Sequence, residues 1–363
     1  MSRGLNCHGR LNMRVETQPN GYLPAQKIVS IPSFADLVEP LQQNHASSRP
    51  ASIPAIALDS YFHTAGSGST IPDPGAVEEN GRTYHGYKDG KYLLPNDGTE
   101  QDRLDLQHSA WSCFMGGALA WAPFRDPPRR VLDVGTGTGI WALEFADRYP
   151  SAAVVGTDLS RIQPWGRHPN VTWVQEDAED DWVPFPGGGL FDYVHLRMMV
   201  TCFDDPRAVM RKAYDHLCPG GWIEYQDQGV DILCQDTSTL GTSIHRWLFM
   251  LRDGAKRLGR DLDSTQHYKN WLVEVGFTDV KEVVIRVPAN PWPDDPELKN
   301  VGRWSLSGSI QGVEAVSLRI LGKGLGMPVS EILQLVAQVK KDLSNRKHRF
   351  YWTMRVVYGQ KPF

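Results

Sequence analysis

The sequence predicts an α/β fold, a parallel sheet with helices on both faces, preceded by an irregular arm. Three observations carry this. Apolar strand-like runs alternate with helical patterns between residues 130 and 226. The first run leads into a glycine turn, Asp133-Val134-Gly135-Thr136-Gly137-Thr138-Gly139. The second ends on an acid, Asp158 of Val155-Gly156-Thr157-Asp158.

Residues 1–79 are rich in Pro, Ser, Gln and Asn and read as an irregular arm, with a short helix expected at Ser33–Gln43. Apolar residues of the arm, such as Ile28, Phe34 and Leu37, are candidates to dock on a second copy, on a protein partner or on the body of the chain. Residues 80–124 form the next segment, with a helix expected over Gln101–Trp121 from the spacing of Leu104, Leu106 and Ala110. The main domain, 125–363, follows. Its expected elements are strands Arg130–Val134, Ala153–Asp158, Val171–Gln175, Phe191–Leu196 and Trp222–Gln226, with helices Ile140–Tyr149 and Pro206–Leu217 between them. Pro206 suits a helix start, and Cys218-Pro219-Gly220-Gly221 a stop. A helix at Thr265–Val275 is stopped by Gly276, and Val280–Val287 is a strand. Residues 288–346 read as a helical insert. Within it Ser330–Leu343 is amphipathic, with Ile332, Leu333, Leu335, Val336, Val339 and Leu343 on one face. Phe350–Tyr358 is the last strand.

Composition excludes several function classes. The 363 residues carry a formal net charge of −4, against a dedicated nucleic-acid binder, which would show a basic face or tail. No apolar run approaches the roughly 20 residues of a membrane helix. Five scattered cysteines without a C-x-x-C pair argue against a disulfide framework or a structural zinc site, and fit a reducing compartment. The first residues lack the apolar core of a secretory signal, while early arginines and no acid before Glu16 leave a transit peptide open. A cytoplasmic location is expected.

The chemistry centres on the glycine turn. Its spacing is G-x-G-x-G, whereas a dinucleotide fingerprint needs G-x-G-x-x-G, and the phosphate-loop lysine is missing. Gly135, Thr136, Gly137 and Gly139 let the backbone pass close to a ligand, at a helix N-terminus with free N–H groups. Asp158, followed by Leu159, can accept both hydroxyls of a ribose. Asp177, followed by Ala178 at the end of the third strand, can accept from an exocyclic amine of adenine. Asp133 either positions the loop or receives an ammonium group through water. A nucleoside with a cationic, amino-acid-like arm suits the whole set, and that ligand is S-adenosylmethionine.

This set, with Glu176-Asp177-Ala178, Phe191-Asp192-Tyr193-Val194-His195-Leu196-Arg197 and Pro219-Gly220-Gly221-Trp222, resembles class I S-adenosylmethionine-dependent methyltransferases over about residues 125–287. A narrower resemblance, to fungal LaeA-like methyltransferases of secondary metabolism, covers nearly all of 78–363. It rests on Asn80-Gly81-Arg82-Thr83-Tyr84-His85-Gly86-Tyr87, Glu100-Gln101-Asp102-Arg103, Asn290-Pro291-Trp292 and Val357-Tyr358-Gly359-Gln360. The resemblance implies a Rossmann-like, seven-strand sheet whose last strand is antiparallel. It also implies a helical insert, 288–346, lying as a lid between strands six and seven, and an 80–124 cap over the cofactor.

Methyl transfer from a sulfonium needs positioning more than acid–base work, and a base only when the acceptor is protonated. Candidate bases are His195, Tyr225 and His245, with Asp227 beside them; His195 is equally a neighbour of the cofactor. Tyr92 and Gln107 are candidate cofactor contacts, and Tyr84, Tyr87, Trp247 and Trp304 candidate walls of a pocket for a planar substrate. The acid pairs Asp180-Asp181, Asp204-Asp205 and Asp294-Asp295 read as turns or helix caps, so no metal is expected. Three functions follow: methylation of a small molecule, with oxygen favoured as acceptor; regulation of secondary metabolism in the nucleus through protein partners; or a methyltransferase fold catalysing a reaction such as a cyclisation.

Overall fold

The computed structural model describes residues 73 and 75–363, save 165, 167 and 183. The expected helix at Ser33–Gln43 and the apolar residues of the arm lie outside the described residues.

A short hairpin, β1 (Val77–Glu79) and β2 (Arg82–Tyr84), precedes helix α1 (Gly98–Phe114). The hairpin was not anticipated. Asp97 caps α1 by accepting from the Glu100 N–H, and also receives Arg82 at 2.6 Å, so hairpin and helix are tied at one residue. The helix is shorter than its expected span to Trp121. Gly116 and Gly117, both at positive φ, turn the chain out of it.

The main sheet follows the expected alternation. Strands β3 (Arg130–Val134), β4 (Ala153–Asp158), β5 (Val171–Gln175), β6 (Phe191–Arg197) and β7 (Leu217–Cys234) run parallel, with α2 (Ile140–Arg148) and α3 (Pro206–His216) as crossovers. After β7 come α4 (Ser243–Arg257), a 3-10 turn at Ser264–Gln266, α5 (Tyr268–Val275) and β8 (Thr278–Pro288). Two helices, α6 (Pro296–Leu325) and α7 (Val329–Ser344), lead to β9 (Phe350–Gln360). The strand order is β5-β4-β3-β6-β7-β9-β8, and β9 is antiparallel to both its neighbours. This is the seven-strand arrangement expected, with the last strand inserted between the fifth and sixth.

Strand β7 is far longer than the five residues expected. Its extension pairs with β9 across a bulge between Gln228 and Ile232. Strand alternation divides the core. Val131 and Tyr193 face the side that α1 and α2 cover, with Trp141 and Phe145, whereas Leu132, Val134, Val194, Leu196, Ile223 and Tyr225 face α3 and α5. Helix α7 buries Ile332, Leu335, Val336, Val339 and Leu343 as its pattern predicts. Leu333, assigned to the same face, is exposed instead, because 100° per residue carries it off the stripe.

Candidate functional site

Two clefts meet at the C-terminal ends of the parallel strands, where ligands bind in open α/β sheets. The first, about 1130 Å³ including its mouth, is lined by Gly135, Thr136 and Gly137 of the glycine turn, by Asp133 and Asp158 with Leu159, by Asp177 with Ala178, by His195 and Arg197, and by Tyr92 and Gln107 from the preceding segment. Gly139 does not line it. At φ +81° it starts α2, and an added Cβ would lie 2.5 Å from the Trp173 ring, so its role is to turn the chain in a confined space.

The carboxylates of this cleft are already engaged by the protein. Asp158 accepts from the N–H of Gly137 and from that of Ser160, both at 2.8 Å. Each oxygen keeps a second lone pair for a ribose hydroxyl. Burial pushes the Asp158 carboxyl up to about 6, against these two bonds, with the charges of Asp133 and Asp73 adding to the rise. Asp133 accepts from Thr136 Oγ1 at 2.6 Å and pairs with His195 Nδ1 at 2.7 Å. Of its two expected roles, the structure shows the first: it holds the loop. Asp177 receives Lys88 Nζ at 2.9 Å and the Glu179 N–H. Burial alone would raise its pKa, and these partners take it below the ordinary value. Lys91 reaches Glu179 and Asp204 nearby, so the segment 88–91 is strapped across the β5 end of the cleft.

His195 stacks on Trp141 with ring centroids 3.7 Å apart and planes within 6°. Asp133 as acceptor requires Nδ1 to carry hydrogen, which leaves Nε2 buried and without a hydrogen-bond partner in the protein. His195 is thus a clamped wall of the first cleft and does not reach the second.

The second cleft, about 1220 Å³ with its mouth, is mostly apolar. Trp111, Phe114, Trp247, Leu251, Trp304, Val313, Val316, Trp352 and Met354 line it, drawn from α1, α4, α6 and β9. Tyr92, Leu104, Gln107 and Met198 line both clefts. The ionisable side chains on its wall, among the described residues, are Tyr92 and Arg103. Burial drives the Tyr92 phenol well above 10. Burial also works against the Arg103 charge, but Glu100 at 2.7 Å more than offsets this.

Besides Gly139, five expected site residues fall elsewhere. Tyr225 is fully buried on the opposite face of β7, 4.7 Å from the Tyr268 ring and in neither cleft; Glu224 and Gln226 take the near face by alternation. His245 is half-buried on α4 and lines neither cleft, since two residues along a helix turn it about 200° from Trp247, which does. Tyr84 is buried with the Arg319 guanidinium 3.5 Å over its ring, and Tyr87 is 39% exposed; neither lines a cleft. Asp227 also lies outside both. It accepts from Tyr268 Oη, Gln228 N–H and Met199 N–H, and the last bond anchors the turn in which Met198 adopts φ +59°. Residues that sequence reasoning passed over are Arg197, Met198, Met199 and Phe203. Arg197 was visible as the final residue of its strand, a position at which parallel strands present ligand groups.

Among the described residues, no group of His, Cys, Asp and Glu is spaced to hold a metal ion, and no helix is long and apolar enough to cross a membrane.

Residues 113–282 match the family model of a methyltransferase domain. The chain is 34% identical over 288 residues to the methyltransferase pytC of Aspergillus terreus, covering 78% of this chain and 88% of that one. It is 36% identical over 291 residues to the secondary metabolism regulator LAE1 of Cochliobolus heterostrophus, covering 78% and 94%. It is 34% identical over 288 residues to the protein-methionine methyltransferase laeA of Emericella nidulans, covering 78% and 76%.

Proposed function

The chain belongs to the LaeA-like family of fungal methyltransferases, and from that premise we propose that it transfers a methyl group from S-adenosylmethionine to a largely apolar small molecule seated in the second cleft, with oxygen as the favoured acceptor atom. The shared wall of the two clefts carries this reading. Tyr92, Leu104, Gln107 and Met198 form the boundary at which a donor and an acceptor would meet.

The residues of the first cleft fit the cofactor. Asp158 has lone pairs left for the ribose, the glycine turn admits a ligand against its backbone, and Asp177 stands at the adenine end. When bound, the cofactor supplies an electrophilic methyl on a sulfonium. The protein positions the acceptor and excludes water from it, which is where most of the rate arises in such a displacement. Neither ionisable group of the second cleft suits a base: the Tyr92 phenol is held neutral and Arg103 is paired. The acceptor therefore loses its proton according to its own acidity, with Gln107, Thr201 and Gln228 as neutral hydrogen-bonding groups on the wall. In this reading α6, with Trp304, Ser305, Gly308 and Gly312 on the second cleft, is the core of the acceptor lid, 80–124 is the cap and 125–363 the catalytic domain. A cytoplasmic location goes with it.

Titration calorimetry with S-adenosylhomocysteine on the intact chain tests the cofactor site. We expect binding that falls at least tenfold in Asp158→Ala, since a charge-assisted hydrogen bond contributes about 1.5–3 kcal/mol. Equal affinity in wild type and variant would remove Asp158 from the site. A second reading, a nuclear regulator acting through protein partners, is favoured by the name of the Cochliobolus relative. A stable protein complex recovered together with no turnover of any small acceptor would put it first.

A further inference from the structure

The sheet order sets out the first cleft as a line of strand ends. Asp177 follows β5, Asp158 ends β4, the glycine turn follows β3, and Arg197 ends β6. Neighbouring strands lie about 4.8 Å apart, so Asp158 and Arg197 stand about 10 Å apart across two spacings. That is the reach from a ribose to the end of a four-carbon amino-acid arm.

Arg197, half-buried at the end of β6, differs from the buried arginines. Arg103 is paired with Glu100, Arg319 with Glu79 and Asp89, and Arg260 with Asp204. No carboxylate stands within ion-pair distance of Arg197 among the described residues, although it lines the cleft. Its hydrogen bond runs from Nη2 to His108 Nδ1 at 2.9 Å. His108 Nε2 in turn meets Glu144 Oε2 at 2.6 Å. Because a guanidinium only donates, His108 Nδ1 must accept, so the imidazole is neutral with its hydrogen on Nε2, directed at Glu144. Burial holds His108 in that neutral form and lowers the Arg197 pKa only to about 10, which leaves it charged. The chain Glu144–His108–Arg197 fixes one edge of the guanidinium and leaves its fork without an anion. A partly desolvated cation lacking its counter-charge is held at a cost, and an anionic ligand group relieves it. Asp133 and Glu144 contribute through the field alone.

We infer that Arg197, oriented by His108 and Glu144, docks the α-carboxylate of the cofactor's amino-acid arm. This rests on the cofactor reading above. The arm carries the only carboxylate of that ligand, and a planar fork matches it in a bidentate pair. His108 and Glu144 are positioning residues that set the angle of the fork.

Two probes separate this from a structural role. S-adenosylhomocysteine has the amino-acid arm, whereas 5′-methylthioadenosine has the same nucleoside and sulfur without it. Calorimetry on the full chain should show Arg197→Met losing about 10- to 100-fold in affinity for S-adenosylhomocysteine, while affinity for methylthioadenosine stays within twofold. Retained methylthioadenosine binding also shows that the variant is folded. Arg197→Lys should recover part of the loss, and His108→Ala should show a smaller loss confined to the first probe. An equal fall for both probes, or none for either, overturns the inference while leaving the cofactor site standing. Wild type binding neither probe overturns the cofactor reading, and this inference with it.

Discussion

The two clefts are built on opposite principles. The first carries carboxylates bonded in advance: Asp133, Asp158 and Asp177 each hold protein donors before any ligand arrives. Its groups sit at successive strand ends of one sheet. The second is apolar and assembled from α1, α4, α6 and β9, elements up to about 250 residues apart in the chain. A pre-bonded polar wall recognises one ligand by direction and charge. An apolar wall recognises volume and shape, and tolerates change more readily.

The largest effect that would separate the clefts comes from filling the second. Gly308 lies mid-helix on its wall, and an added Cβ there meets nothing within 4 Å. Gly308→Leu should cut acceptor turnover at least 100-fold and leave S-adenosylhomocysteine affinity unchanged. Its Tm should rise, because glycine costs a helix about 1 kcal/mol relative to better formers. A parallel loss of cofactor binding would show that the two clefts are one.

The converse change is Gly139→Ala. Positive φ and the approach to Trp173 both oppose the methyl, so stability should fall by about 1–3 kcal/mol in denaturant unfolding. Cofactor affinity should fall with it, while volume-type selection among acceptors persists in the fraction that binds.

Acidity probes the first cleft alone. With the Asp158 carboxyl at about 6, only about a tenth is ionised at pH 5, so cofactor affinity should weaken about tenfold between pH 7.5 and 5. Binding near pH 6 should release protons, read from calorimetry in buffers of different ionisation enthalpy, and Asp158→Asn should flatten the profile. The stability sign is opposite. A raised carboxyl pKa favours the folded state at low pH, so this contribution is complete below about 3.8 and is lost as pH rises through 6. Chemical denaturation at pH 4.5 and 7, with Asp158→Asn as reference, reads it.

The smallest effect is expected at His245. It lines neither cleft, so His245→Ala should leave turnover and cofactor affinity within twofold. A tenfold loss in either would return it to the site.

Legibility in the sequence follows the same division. The glycine turn and the acids after β4 and β5 were readable because each sits within a few residues of an apolar strand, and the strand's direction fixes which end it occupies. His195 was readable as a residue at the strand end beside the first cleft, but its engagement by Asp133 and Trp141 was not, because those come from β3 and α2. Tyr225 was misplaced by treating every residue at a strand end as pointing to the site; alternation sends it to the α3–α5 face. Trp247 and Trp304 do line the second cleft, whereas Tyr84 and Tyr87 do not, and composition alone offered no means of separating the pairs.

The sequence by itself determined the order and type of the elements from β3 to α3, the antiparallel last strand's place at the end of the chain and the glycine turn. These depend on local periodicity, glycine conformations and a carboxylate one strand-length from its loop. Tertiary structure alone decided the second cleft, the Glu144–His108–Arg197 alignment and the strap of Lys88 and Lys91 over Asp177. Each joins side chains dozens of residues apart. Such contacts follow from how helices pack on the sheet, and no local pattern in the chain encodes that geometry.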